Sequence, residues 1–269
     1  MGADLLLNQN LLVIAPVILA ALILVTTMGY AMGKRHAKLP YPLPEKREKT
    51  AGTITGAMLA LLGFMLAISI SMADSHFEAR RRLVLDEANA IGTSRLRAMA
   101  IGGPHGTEIV RLLKDYARVR IDFFSAGEDP TRLKSVYKRT FDLQQLLWNH
   151  ACAIATPAPT PISALLLSSL NEVFDLATSR RWALEVRIPL YVINLLLAFS
   201  LLSMGMMGYY FGICGVRHRI LSALLFAAFT IAILLVMDLN NPRGGYVKPE
   251  QSPLLWLVDD MSQDVPATR

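Results

Sequence analysis

Cysteine is nearly absent, with Cys152 and Cys214 the two in 269 residues. They make neither a disulfide framework nor the ligand spacing of a metal site, and read as ordinary small buried residues. Catalytic signatures are missing too. There is no His-Glu-x-x-His run, no glycine-rich phosphate loop and no nucleophile elbow. The five histidines (His36, His76, His105, His150, His218) are scattered singly and read as solvated or interfacial side chains rather than ligands. No catalytic residue, metal or cofactor is expected, which argues against an enzyme. Alternating strand patterns and hairpin dipeptides are also lacking, which leaves an all-α chain. Charged residues make up 18% of the chain, against roughly 25% in an average soluble domain. The formal charge of +6 is not concentrated enough to suggest nucleic acid, because most basic residues flank apolar segments, where lipid headgroups would meet them.

What the chain does contain is four long apolar segments, at residues 11–33, 51–73, 188–216 and 220–237. A helix needs about 20 apolar residues to cross a hydrocarbon core of about 30 Å. The first three segments are long enough, and the fourth lies near the lower limit. No Lys or Arg precedes the first segment, and its last turns run into Lys34-Arg35, so it reads as a retained anchor rather than a signal peptide.

These segments predict two membrane hairpins around a soluble helical bundle. The first hairpin covers residues 1–73, with helices at about 11–33 and 51–73 joined by a basic loop carrying Pro40, Pro42 and Pro44. The bundle covers 74–187. The second hairpin covers 188–237, with helices at about 188–214 and 220–237 joined around Arg217-His218-Arg219. A turn and tail occupy 238–269. Within the bundle, Ser75 to about Ala100 continues the second membrane helix, Ile101 to Gly106 breaks it, and Thr107 is the expected N-cap of the next helix. Pro130 opens another helix. Thr156 to Pro161 is a second breaker, and a last helix from about Ile162 runs into the third membrane segment, with Pro189 near the junction. Trp148 is expected in the core, and Trp182 in the core or at the membrane interface.

The second membrane helix carries the strongest functional signal. Residues 51–73 hold no charge. Thr53, Gly56, Ala60, Gly63, Ala67, Ser71 and Asp74 recur at spacings of three and four, so one helical stripe is small or polar while the other faces are Leu, Ile, Met and Phe. Such a stripe packs closely on a neighbour or lines a pore. The helix then continues into Glu78-Ala79-Arg80-Arg81-Arg82 and Asp86-Glu87. That run is either a solvated face with i,i+4 ion pairs or, repeated in each subunit of an oligomer, a basic ring that concentrates anions. A polar set at Asn171, Glu172, Asp175, Arg180 and Arg181 could pair with the arginines at 80–82. After the fourth segment, Asp238, Asn240, Asn241, Pro242 and Gly244 form a turn signal, with too few acids for a calcium site.

Three of these places resemble the bestrophin superfamily, and more closely its bacterial bestrophin-like membrane proteins. Phe77-Glu78-Ala79-Arg80 resembles that family's Phe-x-Glu-Ala-Arg element, allowing one residue of slip at the Phe. Arg180 to Pro189 resembles its approach to the third membrane helix, and Asp238 to Gly244 its acidic Asp-Pro-Phe-Gly element. The resemblance implies a homopentameric ion channel whose second membrane helix lines the pore and whose bundle lies in the cytosol. By that correspondence the pore line is Leu59, Gly63, Ala67, Ile70 and Asp74, with Glu78, Arg80, Arg81 and Arg82 as the electrostatic mouth. The family's neck uses bulky apolar residues, whereas Gly63 and Ala67 are small, unless a rotation presents Leu62, Leu66 and Ile70 instead. Asn240 and Asn241 stand where a calcium clasp would want acids.

The expected function is therefore an oligomeric ion channel with a slight lean to anions. Its expected partners are the lipid bilayer, further copies of the chain (a pentamer) and small inorganic ions. Two rivals remain: a non-conducting scaffold whose stripe is a packing face, and an ion-coupled transporter or motor-type subunit using Asp74. Flanking Lys and Arg tie at eight on the loop side and eight on the bundle side. A strict positive-inside reading puts the bundle outside, because long translocated domains are discounted. The resemblance puts bundle and termini in the cytoplasm of an inner-membrane protein.

Overall fold

In the computed structural model, the described residues are 11–39, 44–127, 129–157, 159–216 and 218–263. Pro40, Pro42, Arg217, Ala158 of the second breaker and the end of the tail lie outside them. The described residues form eight helices. These are α1 (Leu11–His36), α2 (Pro44–Ile101), α3 (Gly103–Ser125), α4 (Pro130–Ala155), α5 (Pro161–Glu185), α6 (Leu190–Cys214), α7 (Arg219–Leu239) and α8 (Ser252–Gln263). The all-α expectation is borne out. Four stretches are long and apolar enough to cross a membrane, within Val13–His36, Glu45–Ile101, Pro161–Cys214 and Arg219–Leu239.

The helix ends follow local chemistry. α2 begins at Pro44 rather than Ala51 and runs unbroken for 58 residues. It stops where Gly102 and Gly103 adopt φ of 67° and 68°, a conformation open to glycine and costly for other residues. α3 therefore starts at once. Thr107, the expected N-cap, lies a turn inside α3, with its hydroxyl bonded back to the Gly103 carbonyl at 2.9 Å. Asp129 caps α4 by accepting from the amides of Thr131 and Arg132. Thr160 and Ser163 form a reciprocal capping box at the start of α5. The expected continuous helix into the third membrane segment is interrupted, because α5 ends at Glu185 and α6 begins at Leu190. Pro189 has no amide hydrogen and disfavours helical geometry in the residue before it. Residues read as tail form α8. Trp148 is 36% exposed rather than core, with its ring beside Phe174. Cys152 and Cys214 are half-buried.

The chain divides into two compact units, one of Met1–Ser75 with Arg187–Asn241, the other of His76–Val186 with Pro242–Arg269. The boundary falls inside α2. In the first unit, Ile14, Leu22, Leu62, Leu66, Leu196, Met204, Phe226 and Ile233 form a core drawn from all four membrane helices. Its closest packing is between α1 and α6. A Cβ built on Gly29 would lie 2.1 Å from the Gly205 carbonyl oxygen, and one on Gly33 2.1 Å from that of Tyr209. In return, Cβ atoms on Gly208 and Gly212 would meet the carbonyl oxygens of Thr26 and Tyr30 at 2.1 and 2.3 Å. In lipid, where water drives no association between apolar faces, such backbone proximity is what holds helices together. Several hydroxyls in this unit are satisfied by carbonyls. Thr55 donates to Ala51 at 2.8 Å, Ser200 to Leu196 at 2.8 Å, and Ser203 to Met58 across helices at 3.2 Å.

In the second unit, Val84 and Ile91 of α2, Ile109, Leu113 and Tyr116 of α3, Leu147 of α4, Leu166 and Val173 of α5 and Leu254 of α8 share one core.

Gly208→Ala is expected to destabilise the first unit by about 1–3 kcal/mol through overpacking. Gly56→Ala, whose Cβ would meet nothing within 4 Å, should be neutral or gain up to about 1 kcal/mol of helix propensity. Thermal unfolding of the two variants in detergent measures the contrast.

Candidate functional site

The stripe on α2 turns outward. Thr53, Gly56, Ala60, Gly63, Ala67, Ser71 and Asp74 are all exposed on the first unit, while Ala51, Thr55, Leu62, Leu66, Ser69 and Ala73 face its core. Open space surrounds both Gly56 and Gly63. The small stripe is thus not a packing face within the protomer; α1 and α6 supply that packing. Of the five pore-line residues drawn from the resemblance, Gly63, Ala67 and Asp74 are exposed and Leu59 and Ile70 half-buried. Leu59 packs against the core of its unit. Leu62 and Leu66 are 0% and 6% exposed, so the alternative rotation that would present them outward is not the one adopted.

The charged continuation of α2 is split by its own periodicity. Successive helical residues point about 100° apart, so three consecutive arginines cannot share a face. Arg81 and Arg82 are exposed, and Arg81 pairs with Glu78 at 2.9 Å. Arg80 is 2% exposed. Its Nε donates to the Ala183 carbonyl at 2.8 Å and a terminal nitrogen to that of Val186 at 2.9 Å. A guanidinium there satisfies orphan carbonyls at the C-terminus of α5 and lies at the negative end of its dipole. Reading Arg80 as surface charge is therefore corrected, because it is a buried helix cap. The arginines at 80–82 and α5 do meet, but Arg80 meets carbonyls there.

Within the second unit the sequence had not flagged the main electrostatic feature. Glu87 of α2 is fully buried between two arginines that are each 2% exposed. Arg120 Nε of α3 donates to its Oε1 at 2.5 Å, and a terminal nitrogen of Arg180 of α5 to its Oε2 at 2.5 Å. Arg180 also donates to Gln251, just before α8. Arg120 and Arg243 each sit 4.6 Å from the centroid of the Phe123 ring. Arg243 further donates to the carbonyls of Phe123 and Gly127 at 3.1 and 2.9 Å, closing the end of α3. Nearby, burial pushes the Tyr116 hydroxyl up to about 12, and Gln144 donates to it at 3.2 Å. A signal was present in the sequence: Glu87, Arg120 and Arg180 each stand in register with apolar residues three or four positions away.

The turn after α7 is structural. Asn240 is buried, and its side-chain oxygen accepts the Ile188 amide at 2.6 Å, which ties the end of α7 to the entry of α6. Asp238 is 5% exposed, and its carbonyl accepts the Asn241 amide at 2.9 Å. Pro242 is buried and Gly244 exposed. Among the described residues no group of three or more His, Cys, Asp or Glu is placed to hold a metal ion.

The sequence matches the bestrophin-like domain over residues 11–254. The chain belongs to the bestrophin-like family. Crystal structures of two variants of a bacterial bestrophin homologue from Klebsiella pneumoniae share its fold. One superposes with a TM-score of 0.68 at 15% identity, covering 95% of this chain and 96% of the other. The second gives 0.65 at 16% identity, covering 91% and 95%. No curated protein matches the sequence.

Glu87→Gln leaves two buried guanidiniums without a counter-charge and should cost about 3–5 kcal/mol. Replacing all three with Glu87→Leu, Arg120→Met and Arg180→Leu should restore most of that loss, since no buried charge is then stranded. Thermal melts of the two variants, read by helical circular dichroism, measure the difference.

Proposed function

We propose that the chain is the subunit of a homo-oligomeric ion channel, with the outward stripe of α2 as its pore wall. The observation carrying this reading is that stripe. Seven small or polar residues along about 30 Å of helix are left uncovered by the protomer, in a segment otherwise suited to lipid. In a ring of copies such faces would meet around an axis, and membership of the bestrophin-like family supports a pentamer. Gly63, Ala67 and Asp74 then face the conduction path, with Leu59 and Ile70 at its edges. Small rings make the neck wide, so its selectivity rests on charge rather than on bulky apolar constriction. Asp74 favours cations, and Arg81 and Arg82 further along α2 favour anions; we read the excess of basic residues as a lean to anions. No enzymatic role is proposed.

The scaffold reading uses the same stripe as a contact between copies that closes the axis. The transporter reading needs a carboxylate near the membrane midplane, whereas Asp74 follows 23 uncharged residues and lies at the edge. Both predict no unitary currents.

Purified oligomer in a planar bilayer should show unitary currents, and Gly63→Leu or Ala67→Leu should reduce their amplitude severalfold without dissociating the oligomer. Silence under salt gradients of either sign overturns the channel reading. The bundle and both termini are proposed to lie in the cytoplasm of an inner-membrane protein. A cysteine introduced at exposed Ser125 should react with an impermeant maleimide only after cells are opened; labelling of intact cells would put the bundle outside.

A further inference from the structure

Two of the five histidines that the sequence scatters are brought face to face. His105 lies in the first turn of α3 and His150 near the end of α4, and their Nδ1 atoms stand 2.9 Å apart. Their ring centroids are 5.2 Å apart, with planes inclined at 54°. His105 is exposed and His150 half-buried, so a solute ion reaches both nitrogens.

Both backbones are anchored. Gly106, beside His105, packs so closely that a Cβ there would sit 2.7 Å from the Ala98 carbonyl oxygen. Leu147 and Ala151, flanking His150, are 0% and 1% exposed. The imidazoles therefore approach each other from fixed positions, and neither nitrogen needs backbone movement to meet a shared partner. As a hydrogen bond, the pair requires one Nδ1 to carry a proton and the other to accept it.

We propose that His105 and His150 form a two-imidazole chelate for a borderline transition-metal dication of the Zn2+ class. Two nitrogens at about 2.05 Å from a tetrahedral Zn2+ are about 3.3 Å apart. The observed separation needs to open by only a few tenths of an ångström. Imidazole nitrogen suits Zn2+, Ni2+ and Cu2+ rather than Mg2+ or Ca2+, which take oxygen. On binding, the proton between the rings moves to an Nε2, so that each histidine offers an Nδ1 lone pair and stays neutral. Water completes the shell. Glu108, three residues after His105 on the same face of α3, is already paired with Arg111. Its carboxyl is held below the usual carboxylate range by Arg111, which hydrogen-bonds to it, with a smaller pull from His150. Such an ion would staple the start of α3 to the end of α4, whether or not the oligomer conducts.

The test is calorimetric titration of the full-length protein in detergent with ZnCl2, with MgCl2 as control. One Zn2+ per chain is expected, with no heat from Mg2+. His105→Ala and His150→Ala should each weaken binding by more than about tenfold. His218→Ala, at an exposed histidine outside the pair, should bind as the parent does. His150→Asn can still hydrogen-bond to His105 but offers no imidazole, and should lose Zn2+ as His150→Ala does. The proposal is overturned if the parent chain takes up no stoichiometric Zn2+, or if any of these three variants at 105 and 150 keeps the parent affinity.

Discussion

A single carboxylate without access to water sets the arrangement of the second unit. Glu87 offers two oxygens, and each is taken by a guanidinium from a different helix, Arg120 from α3 and Arg180 from α5. Arg180 reaches on to Gln251, which fixes the approach to α8. Charge of this kind adds little net stability over a well-packed apolar core, because its desolvation offsets most of the Coulomb gain. What it adds is intolerance of misplacement. A helix rotated by one residue, or shifted by one turn, strands an ion in a medium of low dielectric.

Elsewhere several basic side chains serve carbonyls rather than acids. Arg47 donates to the His36 and Leu39 carbonyls at the end of α1, Arg80 serves α5, Arg243 serves α3, and Lys114 reaches Met261 near the end of α8. A cation at a helix C-terminus answers both the orphan carbonyls and the dipole. Part of the basic excess of this chain of net +6 is therefore internal.

The fold was largely legible, because uncharged runs of about 20 residues and the 3.6 period report membrane helices and their faces directly. The α2 stripe was legible as a stripe. Its direction was not, since small residues serve equally for backbone contact and for an open wall, and only the α1–α6 glycine contacts show where this chain places its close packing. Arg80 was misread because three adjacent arginines look like one patch in sequence but point three ways on a helix. Glu87, Arg120 and Arg180 lie on apolar stripes, which marks them as buried. Which of them pair depends on the helix arrangement, which periodicity does not encode. His105 and His150 are 45 residues apart on different helices, and nothing local links them.

The contact between α1 and α6 has a mechanical consequence. Gly29 and Gly33 on one helix face Gly205, Gly208 and Gly212 on the other, carbonyl against α-carbon. Sliding α1 by four residues, about 6 Å, would carry Val25 to the place of Gly29, where even a methyl group does not fit. Smaller slides bring Met28 or Tyr30 to bear. The two helices therefore behave as a keyed joint with a single seat. They can tilt or turn together as one plate but cannot shear along their length.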